Sequence, residues 1–116
     1  KRYYRVKRLQ KNHYTFLERY EHALQQLRTG FSALRAENAL VIWKKYMENL
    51  EGKPYTKSTS REIASLAADE KLAAALKGTD RIVYGGLSND PGQAFQELQS
   101  YSQSHFVKKL EEITHG

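Results

Sequence analysis

The chain contains no cysteine, and this absence excludes two kinds of site. Disulfide frameworks and thiolate metal sites both need cysteine, so neither can form here. A chain without cysteine is compatible with a reducing compartment but does not prove one. With 40% hydrophobic and 28% charged residues, two prolines and seven glycines, the composition is that of an ordinary globular chain. Disorder is therefore not expected.

Long apolar runs are also missing. The longest, Ala39 to Trp43, is broken by Lys44 and is far shorter than the roughly 18 to 20 residues that a membrane span needs. The 116 residues are enough for one domain, and a chain of about this size buries roughly two-thirds of its unfolded surface. We expect residues 12–116 to form a single helical domain with one core.

Positive charge is concentrated at the start of the chain. The first eleven residues hold six basic residues and no acidic one: Lys1, Arg2, Arg5, Lys7, Arg8 and Lys11. The other 13 of the 19 basic residues are balanced by 13 acidic residues, so the chain from Asn12 onward is formally neutral. Because the first residue is Lys1 rather than Met, we expect the chain to belong to a longer protein. The confinement of positive charge to the start leads us to expect a membrane anchor upstream.

Apolar spacing predicts an all-α fold that begins with a long antiparallel helical hairpin. The first helix has a heptad stripe that consists of Val6, Leu9, His13, Phe16, Tyr20, Ala23 and Leu27. Gly30 is predicted to end it in the left-handed conformation. Ser32 can cap a second helix, which stops at Gly52 and has the stripe Ala36, Leu40, Trp43, Met47 and Leu50.

A smaller helical subdomain and a long C-terminal helix complete the predicted five helices. After a linker at residues 53–58, Thr59 and Glu62 have capping-box spacing before a short helix whose apolar face is Ile63 and Leu66. Asp69 can cap a fourth helix that ends at Gly85-Gly86. Asp90-Pro91 and Gln93 mark the start of the last helix, whose inner face is Phe95, Leu98, Ser102, Phe106, Leu110 and Ile113. No stretch alternates between polar and apolar residues over enough positions to indicate a β-strand.

Histidines and carboxylates do not form a catalytic or metal-binding pattern. His13 lies on the heptad stripe and is predicted to be packed, while His22, nine residues later, falls on the other side of the helix. His105 directly follows Ser104, and neighbours on a helix do not face each other. No known metal-ligand spacing occurs. We therefore predict a protein that is not an enzyme, with no catalytic residues, metal or cofactor, and with no small-molecule substrate evident.

Three tyrosines, Tyr3, Tyr4 and Tyr14, lie among the basic residues of the first helix. This combination is typical of a membrane interface, where tyrosine sits at headgroup depth and lysine and arginine mark the cytoplasmic side. It is also typical of nucleic-acid binding by phosphate contacts and base stacking. Confinement of the charge to the N-terminus favours membrane headgroup contact by the six basic residues, and nucleic-acid binding remains the alternative.

Tyr84-Gly85-Gly86 admits two interpretations. Two glycines can bring backbone N–H groups close to an anion, but the sequence has neither of the established phosphate-loop spacings. The same glycines are fully explained as the end of a helix before Asp90-Pro91. The interpretation as a helix end is favoured. If the segment has a function, we predict partner binding at Tyr84, Gly85 and Gly86.

The order of these features resembles the cytoplasmic C-terminal domains of BatD-like bacterial membrane proteins, which are encoded beside MoxR-type ATPases and von Willebrand A proteins. The likeness rests on four stretches: Lys1 to Lys11, Ala39 to Tyr46, Thr59 to Ile63, and Asp80 to Gly86. The last helix is longer than is usual in that family. The resemblance implies a protein-interaction module on the cytoplasmic side of the inner membrane, with a MoxR-type ATPase or a von Willebrand A protein as its partner.

Overall fold

The computed structural model describes residues 1–85 and 91–115. These ranges contain five α-helices and no strand: α1 (Arg2–Thr29), α2 (Ala33–Glu51), α3 (Ser60–Ala67), α4 (Glu70–Gly85) and α5 (Pro91–His115). A short 3-10 turn, Tyr55–Lys57, lies between α2 and α3. The predicted all-α fold with five helices is confirmed. The helix α5 begins at Pro91 as predicted, whereas its predicted N-cap, Asp90, lies outside the described residues.

Side-chain caps start the three central helices where the sequence predicts them. The Ser32 hydroxyl accepts a hydrogen bond from the backbone N–H of Arg35 at 3.1 Å. Thr59 and Glu62 form a complete capping box at the start of α3, and the Asp69 carboxylate accepts a backbone N–H at the start of α4. These local bonds satisfy N–H groups that the helices leave unpaired, so the helix starts are set by nearby sequence.

The prediction that Gly30 ends α1 in the left-handed conformation is wrong. Its φ and ψ are −161° and 103°, which is extended backbone. The Arg35 guanidinium instead covers the helix end, since its Nη1 donates to the carbonyls of Gln26 at 2.9 Å and Gly30 at 2.6 Å. A Cβ on Gly30 would lie 2.7 Å from that nitrogen. Only the flexible end of Arg35 would have to move for a larger residue, so this extended position does not require glycine. Gly52, by contrast, adopts the predicted left-handed conformation with φ 71°.

The helices pack around one core. The hairpin of α1 and α2 packs against α5, α4 packs against α2 and α5, and α3 packs against α4. Buried side chains from all five helices form one continuous cluster, with Trp43, Tyr20, Tyr55 and Phe95 among the largest. Leu66, predicted to face the core with Ile63, is 45% exposed. The helix α3 packs mainly against α4 and turns Ile63, with Ala67 partly buried, toward the cluster.

Two buried side chains fasten α5 to the hairpin. The Tyr20 hydroxyl donates to the backbone carbonyl of Phe95 at 2.6 Å, and the Trp43 indole N–H donates to that of Leu98 at 2.8 Å. Both donors are fully buried, where an unpaired polar group would be costly. Every buried side-chain nitrogen or oxygen of the described residues has a hydrogen-bond partner. The core therefore fixes the position of α5 against α1 and α2.

Candidate functional site

The six basic residues at the start of the chain are all exposed. None of them forms an ion pair with any other described residue. Their charge is therefore not neutralised within residues 1–85 and 91–115. The structure makes these side chains accessible to an anionic partner, whichever kind it is.

Tyrosines and cations share the outer side of α1. Tyr3, Lys7, Lys11 and Tyr14 follow at intervals of four, four and three residues, which places them on one helical face. Tyr3 and Tyr14 are 63% and 67% exposed, and the Lys7 ammonium lies 5.6 Å from the centre of the Tyr3 ring. His13, two positions after Lys11, is buried on the opposite side. With Tyr4 and Arg8 added, we call this outer surface the basic-tyrosine stripe: Tyr3, Tyr4, Lys7, Arg8, Lys11 and Tyr14.

The remaining cations of the N-terminus face the end of α5. Together with the last turns of α5 they border a cleft of about 220 Å³ that is lined by Lys1, Arg2, Arg5, Lys109, Glu112 and Ile113. Lys109 pairs with Glu112 at 3.8 Å. The fold thus places a cation and an anion of α5, Lys109 and Glu112, beside the N-terminal charge, which sequence order alone does not reveal.

A second concave surface runs between α1 and α2. This α1–α2 groove has a volume of about 620 Å³. Its α1 wall consists of Leu9, Asn12, Thr15, Phe16 and Arg19, and its α2 wall of Asn38, Val41, Ile42, Lys45 and Asn49. Tyr46, Glu48, Leu50 and Thr56 complete the lining. Each wall extends over about three helical turns, or roughly 15 Å at 1.5 Å per residue.

The sequence contains one signal for this groove, namely two apolar residues that the buried stripe of α2 does not account for. Val41 and Ile42 belong to the longest apolar run but fall outside the predicted buried stripe of α2. In the structure Val41 is 44% exposed and Ile42 is partly buried. Apolar residues beside a helix's buried stripe can indicate a second contact surface, although their position next to α1 depends on the fold.

His13 is a packed residue, as predicted. It is 6% exposed, and its ring stacks on Phe106 at a centroid distance of 3.8 Å. Its Nε2–H donates to the Gln103 side-chain oxygen at 3.2 Å, and its Nδ1 accepts from the Tyr46 hydroxyl at 2.7 Å. Burial lowers the pKa of His13 below its usual 6.5, against the opposing effect of the Gln103 bond. The neutral ring links α1, α2 and α5.

Glu51 and His105 form a second polar link, between the end of α2 and α5. The His105 Nδ1 lies 2.8 Å from the Glu51 carboxylate, which also accepts the Tyr55 hydroxyl at 2.9 Å. Tyr101 stacks on His105 at 4.0 Å. Burial, followed by the bond to Glu51, raises the pKa of Tyr55, so it stays a donor. The cluster can clamp α5 to the hairpin.

The predicted partner-binding residues lie at the end of α4. Tyr84 is 84% exposed, and Gly85 is the last residue of that helix. Gly86 lies outside the described residues. Nothing in the described part of the chain packs within 4 Å of a Cβ built on Gly85. Partner binding at Tyr84, Gly85 and Gly86 stays a prediction.

The described residues contain no cluster of three or more His, Asp or Glu side chains that could hold a metal ion. Within the same ranges, no helix combines the length and apolar character that crossing a bilayer demands. No family model, curated protein or solved structure matches the chain. The BatD-like resemblance accordingly rests on the order of its sequence features alone.

Proposed function

We propose that the chain is a non-enzymatic protein-interaction module at the cytoplasmic face of a bacterial inner membrane. The basic-tyrosine stripe is the observation that carries this proposal. Its lysines and arginine meet anionic headgroups, and its tyrosines enter the interface. A membrane anchor upstream of Lys1 would hold the stripe against the bilayer. The BatD-like resemblance supports a MoxR-type ATPase or a von Willebrand A protein as the partner of the rest of the domain.

Vesicle flotation of two matched variants tests the membrane role. Lys7→Gln/Lys11→Gln removes two charges from the stripe, and Lys71→Gln/Lys77→Gln removes two charges from exposed positions of α4. Each cation near an anionic surface strengthens binding roughly five-fold, so the stripe variant should bind phosphatidylglycerol vesicles roughly thirty-fold more weakly. The α4 variant should bind like the unmodified chain. Equal binding by both variants would reject the headgroup role.

Nucleic-acid binding is a second candidate, because the same exposed tyrosines could stack on bases beside phosphate-binding cations. Fluorescence anisotropy with a single-stranded oligonucleotide at low salt measures it. The alternative predicts a log affinity that falls steeply with log salt and weakens in the stripe variant. It replaces the membrane proposal if the stripe variant loses oligonucleotide binding while its vesicle binding is unchanged. Absence of any anisotropy change removes it.

A further inference from the structure

We propose that the α1–α2 groove binds an acidic amphipathic helix of a partner protein. The proposal names a partner chemistry for the interaction role given above and rests on that role, but it does not rest on the membrane role. The groove and the basic-tyrosine stripe both include parts of α1, but no groove-lining residue belongs to the stripe. The two surfaces can therefore be tested separately.

The shape of the groove suits a helix. Its two walls come from antiparallel helices, and each extends for roughly 15 Å, which matches three turns of a third helix laid between them. The apolar surface open to contact comes from Leu9, Val41 and Ile42, of which Val41 is 44% exposed. Phe16 and Leu50 lie buried beneath it. A helix laid in such a groove presents side chains at i, i+3, i+4 and i+7. The groove would receive one apolar face of that helix.

The charge of the groove selects an acidic partner. Arg19 and Lys45 supply one cation from each wall, and both are exposed. Glu48 is the carboxylate in the lining, but its Oε1 already accepts the backbone N–H and the hydroxyl of Thr56 at 3.0 and 2.7 Å. Those two bonds lower the pKa of Glu48, so it stays ionised and the lining has two cations against one anion. The two cations have no carboxylate partner in the described residues, so acidic side chains that flank the apolar face of a helix would meet them.

Polar side chains of the walls are also available to a ligand. Asn12, Asn38 and Asn49 make no side-chain hydrogen bond to any described residue. The side-chain amides of these asparagines can hydrogen-bond polar side chains of a bound helix. Arg19 and Lys45 favour a helix whose polar side chains are acidic.

Peptide selection identifies the partner chemistry without a known ligand. A phage library of randomised peptides of about 14 residues, four helical turns, is selected on the immobilised full chain and depleted on the Val41→Glu variant. We expect enriched peptides to be net acidic, with apolar residues at helical spacing. Enrichment of basic or aperiodic peptides, or of none above an empty support, would overturn the proposal.

Variants then locate the binding of a labelled, enriched peptide by anisotropy. Val41→Glu and Arg19→Glu/Lys45→Glu should each weaken it at least roughly ten-fold. The matched controls, Leu34→Glu at a 77% exposed position outside the groove and Lys71→Glu/Lys77→Glu on α4, should leave affinity unchanged. Far-UV circular dichroism verifies folding. A peptide with its acids changed to lysines should recover binding to Arg19→Glu/Lys45→Glu, which a merely unfolded variant could not do.

Other occupants give other results. If the chain self-associates in sedimentation equilibrium and Val41→Glu makes it monomeric, the groove binds a second copy and the proposal is wrong. If Val41→Glu lowers vesicle flotation while the stripe is intact, the occupant is lipid and the proposal is again wrong. The expected result for Val41→Glu is unchanged flotation and an unchanged sedimentation equilibrium, with peptide binding alone lost. If the stripe variant binds vesicles like the unmodified chain, the membrane role is rejected, but peptide binding by the groove is unaffected by that result.

Discussion

Removing the hydroxyl of Tyr46 tests how much the His13 link contributes to the fold. Tyr46 is 7% exposed, and its hydroxyl is the donor to His13 Nδ1 at 2.7 Å. Tyr46→Phe keeps the ring that stacks on Phe16 at 4.1 Å but leaves a buried nitrogen without a donor. Orphaning a buried acceptor costs about 1–3 kcal/mol, so the free energy of unfolding should fall by about 2 kcal/mol and Tm by roughly 8 °C.

Urea unfolding at pH 8, followed by far-UV circular dichroism, measures this loss. Tyr14→Phe is the matched control, because Tyr14 is 67% exposed and its hydroxyl has no partner among the described residues. It should change the free energy of unfolding by less than about 0.5 kcal/mol. The m value should be the same for all three proteins. Equal midpoints for Tyr46→Phe and Tyr14→Phe would refute the assigned hydrogen bond.

Three further perturbations follow from the same structure. Because burial lowers the folded-state pKa of His13, its contribution to stability is present above pH 6.5 and is lost as pH falls below that value. Subtracting the free energy of unfolding of His13→Gln from that of the unmodified chain at each pH should isolate this slope. Identical pH profiles for the two proteins would exclude it. Ala68 has φ 52°, a left-handed conformation that strains any residue with a Cβ. Ala68→Gly should therefore raise the free energy of unfolding by about 0.5 kcal/mol in a urea titration. A decrease would show that this backbone strain is absent. Thr59→Ala removes one half of the capping box and should lower that free energy by about 1 kcal/mol; thermal melts that coincide with the unmodified chain would argue against the cap.

The starts and stops of most helices could be predicted because they depend on neighbouring residues. Thr59 with Glu62, and Asp69, bond backbone N–H groups within four residues along the chain. Gly52 ends α2 through its own left-handed backbone conformation. The heptad stripe likewise identifies the buried side of α1 from His13 to Leu27. Gly30 departs from prediction because its environment includes Arg35, whose guanidinium reaches back over the helix end.

The candidate surfaces could be predicted only in part. Exposure of the basic-tyrosine stripe follows from its distance from the heptad stripe on the same helix. The groove, by contrast, exists because α4 and α5 cover other sides of α2 and leave Val41 and Lys45 beside α1. The pair of Glu51 and His105 joins residues 54 positions apart. Such contacts depend on tertiary packing, for which a single sequence carries no local signal.

The hydrogen bond of Trp43 to the Leu98 carbonyl gives the protein a built-in optical reporter. Trp43 is the single tryptophan of the chain, and its indole is fully buried with its N–H bonded to α5. Its emission should therefore be blue-shifted while α5 is docked and should shift to the red when that helix separates and water reaches the ring. Steady-state fluorescence can thus follow the docking of the C-terminal helix, without a label, in every variant named above that leaves Trp43 in place.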